Sequence, residues 1–185
     1  MNKIVILIAL AFVYSCVDSS SKNENTKHAK TIILNVDKKA EVLNIEIPDI
    51  DSITDLNNLK EIYQGAIKNI KNSLDNIESK TIHVTMNNIP NTPVTIWYNK
   101  DNLVKIDYGV ADDSGEITDV FTYYYDNDKV WLIDAIFAKY IFKNDKLIYW
   151  VNENWKEVDN VSLKDFKNSE KISISHSKEL ISLFE

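Results

Sequence analysis

Few side chains of this 185-residue chain are of the types that carry out chemistry, and they lie far apart. Cys16 is the only cysteine, and His28, His83 and His176 are the only histidines. A thiol can serve as a nucleophile, a metal ligand or an acylation site, and imidazole binds metals and transfers protons. A zinc site needs several such ligands at short, regular spacing. Because these four residues are widely separated, the sequence predicts no metal site.

Two acidic clusters are the next group that could do chemistry. Asp112 and Asp113 lie close to Glu116, and Asp126-Asn127-Asp128 forms the second cluster. A calcium loop supplies about six or more oxygens and usually contains a glycine and a distal glutamate, a pattern that neither cluster has. We interpret both clusters as solvated turns. The three glycines are isolated, so a phosphate-binding loop and a Gly-x-Ser-x-Gly nucleophile turn are also missing from the sequence.

The residues before Cys16 give its thiol a specific role. Lys3 supplies a positive charge at the start, Ile4–Val13 is apolar, and Ser15 is a small residue just before the cysteine. This is the layout of a secretory signal peptide. The apolar run is shorter than the roughly 20 residues that a transmembrane helix needs. We therefore predict that the protein is exported.

The four residues Val13-Tyr14-Ser15-Cys16 resemble the lipobox of bacterial lipoproteins. The resemblance implies that Cys16 is acylated through its thiol, that residues 1–15 are removed, and that the new N-terminus is acylated too. Two lipid chains hold a protein stably in a membrane, whereas one gives reversible binding. The alternative is an ordinary signal peptide followed by an unmodified cysteine.

Residues 17–30 are rich in Ser, Asn, Lys and Glu, so they cannot bury enough apolar surface to fold. They predict a flexible tether with a typical span of about 20 Å. The chain then divides into a signal peptide (1–15), a lipidated cysteine with its tether (16–30) and a single α+β domain (31–185). The expected location is the cell envelope, lipid-anchored to a membrane, which is the outer membrane if the source is Gram-negative.

The charge composition restricts the partners of the chain. It has 21 lysines, no arginine and 28 acidic residues, for a net charge of −7. Nucleic-acid binding needs clustered positive charge, and arginine is the usual residue for bidentate phosphate recognition. We therefore expect no nucleic acid and no cofactor. The expected partners are the membrane, through the lipid anchor, and an envelope protein or another ligand.

Hydrophobic periodicity predicts the elements of the folded domain. Thr31–Asp37 and Glu41–Ile47 are β-rich runs, predicted as a hairpin or a pair of strands. Apolar residues in Leu56–Ile77 recur at steps of three and four, which predicts one long amphipathic helix with a buried face. Leu163–Phe184 predicts one or two helical pieces, and Trp155–Val158 predicts a short final strand.

An internal repeat organises the region between the helices. Tyr123–Ile133 aligns with Tyr140–Trp150, and Ile96–Ile106 is a looser third copy of the same pattern. Each copy has an aromatic strand, a turn containing Asn or Asp, and an aliphatic strand, which is typical of a β-hairpin. Ser114-Gly115 closes another hairpin between two copies. The predicted fold class is α+β: an antiparallel β-meander of about six or seven strands, packed by one long amphipathic helix and a C-terminal helix.

These hairpins resemble the Tyr-rich hairpin repeats of a group of uncharacterised bacterial lipoproteins and exported proteins. Those repeats are also followed by a short C-terminal helix, and the likeness covers residues 95 to 184. The resemblance implies a fold and no activity. The sequence does not locate the turn within Ile133–Tyr140, because that stretch is apolar nearly throughout.

The aromatic residues of the meander are candidates for a binding surface. Side chains alternate between the faces of a strand, so Tyr123 and Tyr125 lie on one face and Tyr124 on the other. One face packs on the long helix, and aromatic residues on the other face can remain exposed for a partner. Tyrosine is also simply a good strand residue, which is the alternative explanation. The candidate surface comprises Trp97, Tyr123, Tyr125, Trp131 and Trp150.

Together these observations favour a membrane-anchored exported lipoprotein with a non-catalytic role, either structural or in binding a ligand or protein of the envelope. The second hypothesis is an inhibitor-like protein-binding module, because small helix-on-meander domains serve as such. An enzyme without a recognisable motif is the third, since no pair among the 28 acidic residues is marked as catalytic by the sequence.

The variant Cys16→Ala tests the lipid anchor. We expect the wild-type chain to incorporate labelled fatty acid and to sediment with membranes, and the variant to do neither, because the acyl acceptor is gone. Ser15→Ala keeps a small residue before the cysteine and is the matched control. Equal labelling of the wild type and of Cys16→Ala would contradict lipidation at this residue.

Overall fold

A computed structural model describes residues 31–35, as backbone, and residues 55–185. The signal peptide, the tether and the strand predicted over Glu41–Ile47 lie outside the described residues. The elements in chain order are β1 Thr31–Asn35, α1 Leu56–Ser73 with a 3₁₀ turn Leu74–Asn76, β2 Glu78–Met86, β3 Ile89–Asn99, β4 Asn102–Ala111, β5 Ile117–Asp126, β6 Lys129–Asp134, β7 Ala138–Lys143, β8 Lys146–Asn152 and α2 Leu163–Ser182.

The eight strands form one antiparallel sheet in the order of the sequence, which confirms the predicted meander and the α+β class. The strand count exceeds the predicted six or seven because β1 joins the sheet beside β2, with Thr31 opposite His83. The first β-rich run therefore pairs with a strand that follows α1. No helix in the part of the chain that the structure describes is long and apolar enough to cross a membrane.

The three repeat copies are the hairpins β3–β4, β5–β6 and β7–β8. Asn127 and Asp128 both have positive φ, as do Asn144 and Asp145, which is the pattern of a type I′ turn. In the third copy only Lys100 has positive φ, which is the pattern of a type II′ turn. Both turn types match the right-handed twist of the flanking strands, so the local sequence and the sheet geometry agree.

Each repeat copy also contains a β-bulge at the same place. The register shifts by one residue so that Val104, Trp131 and Ile148, the ninth residues of their copies, are the extra residues. A bulge breaks the strict alternation of side chains. As a result, Trp131 and Leu132 both face α1, although they are neighbours in sequence, while Val130 and Ile133 face the opposite side.

A helix covers each face of the sheet. The inner side of α1, which includes Leu59, Tyr63 and Ile70, packs against the bulged side of the repeats. The other face, which the sequence left open, is covered by α2. Its Glu170 carboxylate accepts the N–H of Leu147 on β8, while Phe184, just beyond its end, lies under the Lys80 ammonium of β2. Thus α2 is one helix that crosses the sheet from β8 to β2.

Two smaller predictions are also resolved. The turn within Ile133–Tyr140 consists of Ala135–Phe137, closed by the Ala135 N–H and the Ala138 carbonyl. The segment Trp155–Val158 contributes a single antiparallel bridge between Val151 and Glu157 instead of a full strand.

Two glycine-to-alanine changes test the close contact between β4 and β3. A Cβ on Gly109 would lie 2.8 Å from Cδ of Pro93 on the neighbouring strand, whereas one on Gly65 in α1 meets nothing. We expect Gly109→Ala to lower the free energy of unfolding by about 1–3 kcal/mol. Gly65→Ala should raise it by about 0.5–1 kcal/mol, because alanine is the better helix residue. Urea denaturation measures both, and equal stabilities would contradict the close strand contact.

Candidate functional site

The structure separates the five aromatic residues of the predicted binding surface. Tyr123, Tyr125 and Trp131 are 2–4% exposed and belong to the core, so they cannot form a surface for a partner. Trp97 and Trp150 are half-buried and lie on opposite faces of the sheet. The helix α2 covers the face that holds Tyr123 and Tyr125, and Trp131 lies under α1, so these three residues form no open aromatic face. The predicted alternation of Tyr123 and Tyr125 against Tyr124 is confirmed.

Tyrosine hydroxyls on the covered face hold α2 in place. The hydroxyl of Tyr123 and Nδ1 of His176 share a hydrogen bond of 2.6 Å, and those of Tyr125 and Ser177 share one of 3.0 Å. Tyr108 packs edge-on against the same imidazole. Burial lowers the pKa of His176, partly opposed by the Glu179 carboxylate. We interpret this cluster as the polar attachment of α2 to the sheet.

The acidic clusters are turns, as the sequence predicted for them. Asp112 Oδ1 accepts the N–H groups of Ser114 and Glu116 and the Ser114 hydroxyl, and these hydrogen bonds lower the pKa of Asp112. Asp126 Oδ1 accepts from the Asn127 amide. Within residues 55–185, no three His, Cys, Asp or Glu side chains converge as a metal site would require.

A row of polar side chains crosses the α1 face of the sheet beside the helix. Asp107, Thr122, Asp134 and Lys139 follow one another on β4, β5, β6 and β7, each opposite the next in register. The Thr122 hydroxyl donates to Asp107 Oδ1 at 2.7 Å, and the Lys139 ammonium donates to Asp134 Oδ1. Lys105, which is buried, donates to Asp107 Oδ2 at 2.7 Å. Every member of this polar row is therefore held by a neighbour.

One flank of α1 and the Asp134–Lys139 end of the polar row border an open groove of about 390 Å³. Asp134 and Lys139 line it from the sheet, and Lys68 and Lys71 line it from α1. Neither helix lysine has a carboxylate within salt-bridge distance among the described residues. The remaining walls come from Gln64, Ile67, Asn72, Glu153 and Trp155. The groove thus concentrates lysines on a chain whose net charge is −7.

Trp155 closes the end of the groove from an unusual backbone conformation. Its φ is +62°, a left-handed value that is rare for a bulky residue. Asn152 holds the turn in two ways. Its side-chain Oδ1 accepts hydrogen bonds from the N–H groups of Asn154 and Lys156, and its backbone carbonyl accepts a hydrogen bond from the N–H of Trp155. This conformation places the indole against Tyr63 of α1, with ring centroids 6.3 Å apart.

Two buried polar atoms beneath α1 have no hydrogen-bond partner among the described residues. They are the hydroxyl of Tyr63 and the indole Nε1 of Trp131, whose rings meet edge to face with centroids 5.0 Å apart. Burial raises the pKa of Tyr63, so its hydroxyl stays protonated at neutral pH. Both groups can therefore donate hydrogen bonds beneath the helix.

Sequence reasoning missed the groove, although one signal for it was present. Asp107 and Asp134 each directly follow a repeat copy, while Thr122 and Lys139 directly precede one. Antiparallel pairing brings the residue after one copy opposite the residue before the next. Lys68 and Lys71 fall between the apolar positions of the predicted helix. Nothing in the helix pattern indicated which part of the sheet they would face.

Comparisons with protein-family models, with curated proteins and with solved structures give no match for this chain.

The buried imidazole of His176 predicts a pH dependence of stability. Because its folded pKa lies below the unfolded value of about 6.5, the unfolded chain binds the proton first as the pH falls. The neutral imidazole therefore stabilises the fold above about pH 6.5, and this contribution is lost as the pH falls through the folded pKa. The slope for one proton is at most about 1.4 kcal/mol per pH unit.

We expect His176→Asn to flatten this dependence in urea denaturation between pH 7.5 and 5, since asparagine can accept from Tyr123 without titrating. His83→Asn, on β2, is the matched control and should keep the wild-type slope. An unchanged slope in His176→Asn would contradict the assignment.

Proposed function

We propose that this protein is an exported, lipid-anchored module with a non-catalytic role, and that it binds a small anionic ligand in the groove beside α1. The observation that carries the binding role is that Lys68 and Lys71, which have no carboxylate within salt-bridge distance among the described residues, line one groove of an acidic chain. The lipid anchor rests on the sequence around Cys16. Location and binding thus come from different parts of the chain and are tested separately.

The chemistry of the groove supports an anion. Lys68 and Lys71 are one helical turn apart, so their ammonium groups can approach the same ligand. Gln64 and Asn72 supply amide groups on the same wall, and Trp155 supplies an apolar end. The volume of about 390 Å³ lies within the range of about 300–1,000 Å³ that is common for small-molecule sites.

The sheet side of the groove supports binding more than proton transfer. Asp134 accepts a hydrogen bond from Lys139, and this pair fixes the position of both side chains, which is what a rigid binding floor requires. Because Asp134 offsets the charge of Lys139, the positive charge available to an anion comes from Lys68 and Lys71.

Calorimetric titration tests the proposal with four probes: inorganic phosphate, citrate, glucuronate and, as the uncharged reference, glucose. We expect the acids to bind more tightly than glucose, with an affinity that falls as salt is added, because exposed charges are screened. The double variant Lys68→Gln/Lys71→Gln should weaken acid binding roughly tenfold, which corresponds to about 1.4 kcal/mol.

The matched control is Lys164→Gln/Lys167→Gln, which removes two exposed lysines at the same spacing from α2. It makes the net charge more negative by the same amount but leaves the groove intact, so it should bind the acids as the wild type does. Absence of acid binding, or the same loss in both double variants, would refute the groove as an anion site.

A further inference from the structure

Two unpartnered donors beneath α1 call for a physical explanation. Tyr63 is fully buried, Trp131 is 4% exposed, and neither of their polar atoms has a partner within the described residues. More than nine in ten buried polar groups in proteins are hydrogen-bonded, because an unmade bond costs free energy. Here the two rings that carry such groups are in contact, which points to an acceptor that both can share.

One side chain connects Tyr63 with the groove. Trp155 lines the groove and also packs on the ring of Tyr63, whereas Tyr63 and Trp131 do not line the groove themselves. On α1, Ile67 likewise lines the groove, one turn after Tyr63. Tyr63 is thus linked to the proposed ligand site through the Trp155 indole.

The backbone of Trp155 marks this turn as a candidate ligand contact. A bulky residue in the left-handed region is strained, and strained residues cluster at ligand sites. The turn itself is held by the side chain and the carbonyl of Asn152 and by the Asn152 N–H, which donates to the Lys156 carbonyl. Rotation of the indole about its side-chain torsions breaks none of these hydrogen bonds, so Trp155 can turn outward while the strands stay in place.

We propose that the groove continues inward past Trp155 to a subsite in which the Tyr63 hydroxyl and Trp131 Nε1 donate hydrogen bonds to one oxygen of the ligand. This inference rests on the function proposed above and specifies the ligand class. Trp131 Nε1 can only donate, so the ligand atom must be an acceptor. The ligand is an oxygen-rich organic acid: its carboxylate lies at Lys68 and Lys71, and a second oxygen reaches the inner donors.

The four probes distinguish the outer site from the inner subsite. Phosphate is compact and carries a single anionic group, so it occupies the lysines alone. Glucuronate and citrate carry further oxygens beyond a carboxylate and can reach both places. We expect Tyr63→Phe to weaken glucuronate or citrate at least fivefold while leaving phosphate unchanged, since only the inner hydroxyl is removed.

Stability separates this role from a structural one. Tyr63→Phe deletes a buried hydroxyl without a partner among the described residues, so the melting temperature should stay the same or rise. Tyr125→Phe is the matched control, because its hydroxyl is bonded to Ser177; it should lower the melting temperature and leave acid binding unchanged. A variant that is more stable but binds more weakly has lost a ligand contact.

Fluorine NMR of the chain labelled with 5-fluorotryptophan gives a second readout, with resonances assigned by single Trp→Phe variants. On addition of glucuronate or citrate, the Trp131 and Trp155 resonances should shift. Trp150, which packs on Tyr140 on the opposite face, should not. A Trp131 resonance that stays in place while the acid binds would overturn the inner subsite.

The possible failures are distinguishable. If no acid binds the wild type, the anion groove itself is refuted, and the inner subsite with it. If the acids bind and lose affinity in Lys68→Gln/Lys71→Gln but not in Tyr63→Phe, the inner subsite is overturned while the groove stands. Weaker phosphate binding in Tyr63→Phe would also overturn it, because the effect would then not be specific to the second oxygen.

Discussion

The recurring β-bulge determines how both faces of this sheet are used. Strict alternation would send Trp131 and Leu132 to opposite sides, and the bulge turns both toward α1. The same shift occurs at Val104 and Ile148, so the α1 face receives an additional side chain from each hairpin. Because bulges also increase strand twist, the repeat sets the shape of the surface on which α1 lies.

The ends of the repeat copies complete this arrangement with polar groups. Asp107 and Asp134 stand opposite the residues that precede the next copies, Thr122 and Lys139. Charged groups at a half-buried position are costly unless they are paired, and each of these has a partner. The polar row is therefore a consequence of joining the hairpins in register, and it lies just outside the area that α1 covers.

Local chemistry explains what could be predicted from the sequence. Asn127-Asp128 and Asn144-Asp145 adopt left-handed turns because these residue types tolerate positive φ, so the hairpins followed from residue identity. The long helix could be predicted because its apolar residues recur at steps of three and four. The bulges could not be predicted, since Val104, Trp131 and Ile148 are ordinary strand residues and nothing local marks them. The burial of Tyr123 and Tyr125 depends on the path of α2 across the sheet. The groove depends on which flank of α1 faces the polar row. Both features arise from tertiary packing, which local sequence patterns do not encode.

The two helices are attached to the sheet by different kinds of contact. Directional bonds hold α2, through Tyr123 to His176, Tyr125 to Ser177 and Leu147 to Glu170. Apolar and aromatic contacts hold α1, and the hydroxyl of Tyr63 at that contact has no partner in the described region. By burial α1 is the more deeply packed helix, with five buried residues against two in α2. Its face is also the one that carries Lys68, Lys71 and the strained Trp155 turn, so the proposed ligand site lies along a helix that apolar contacts hold in place.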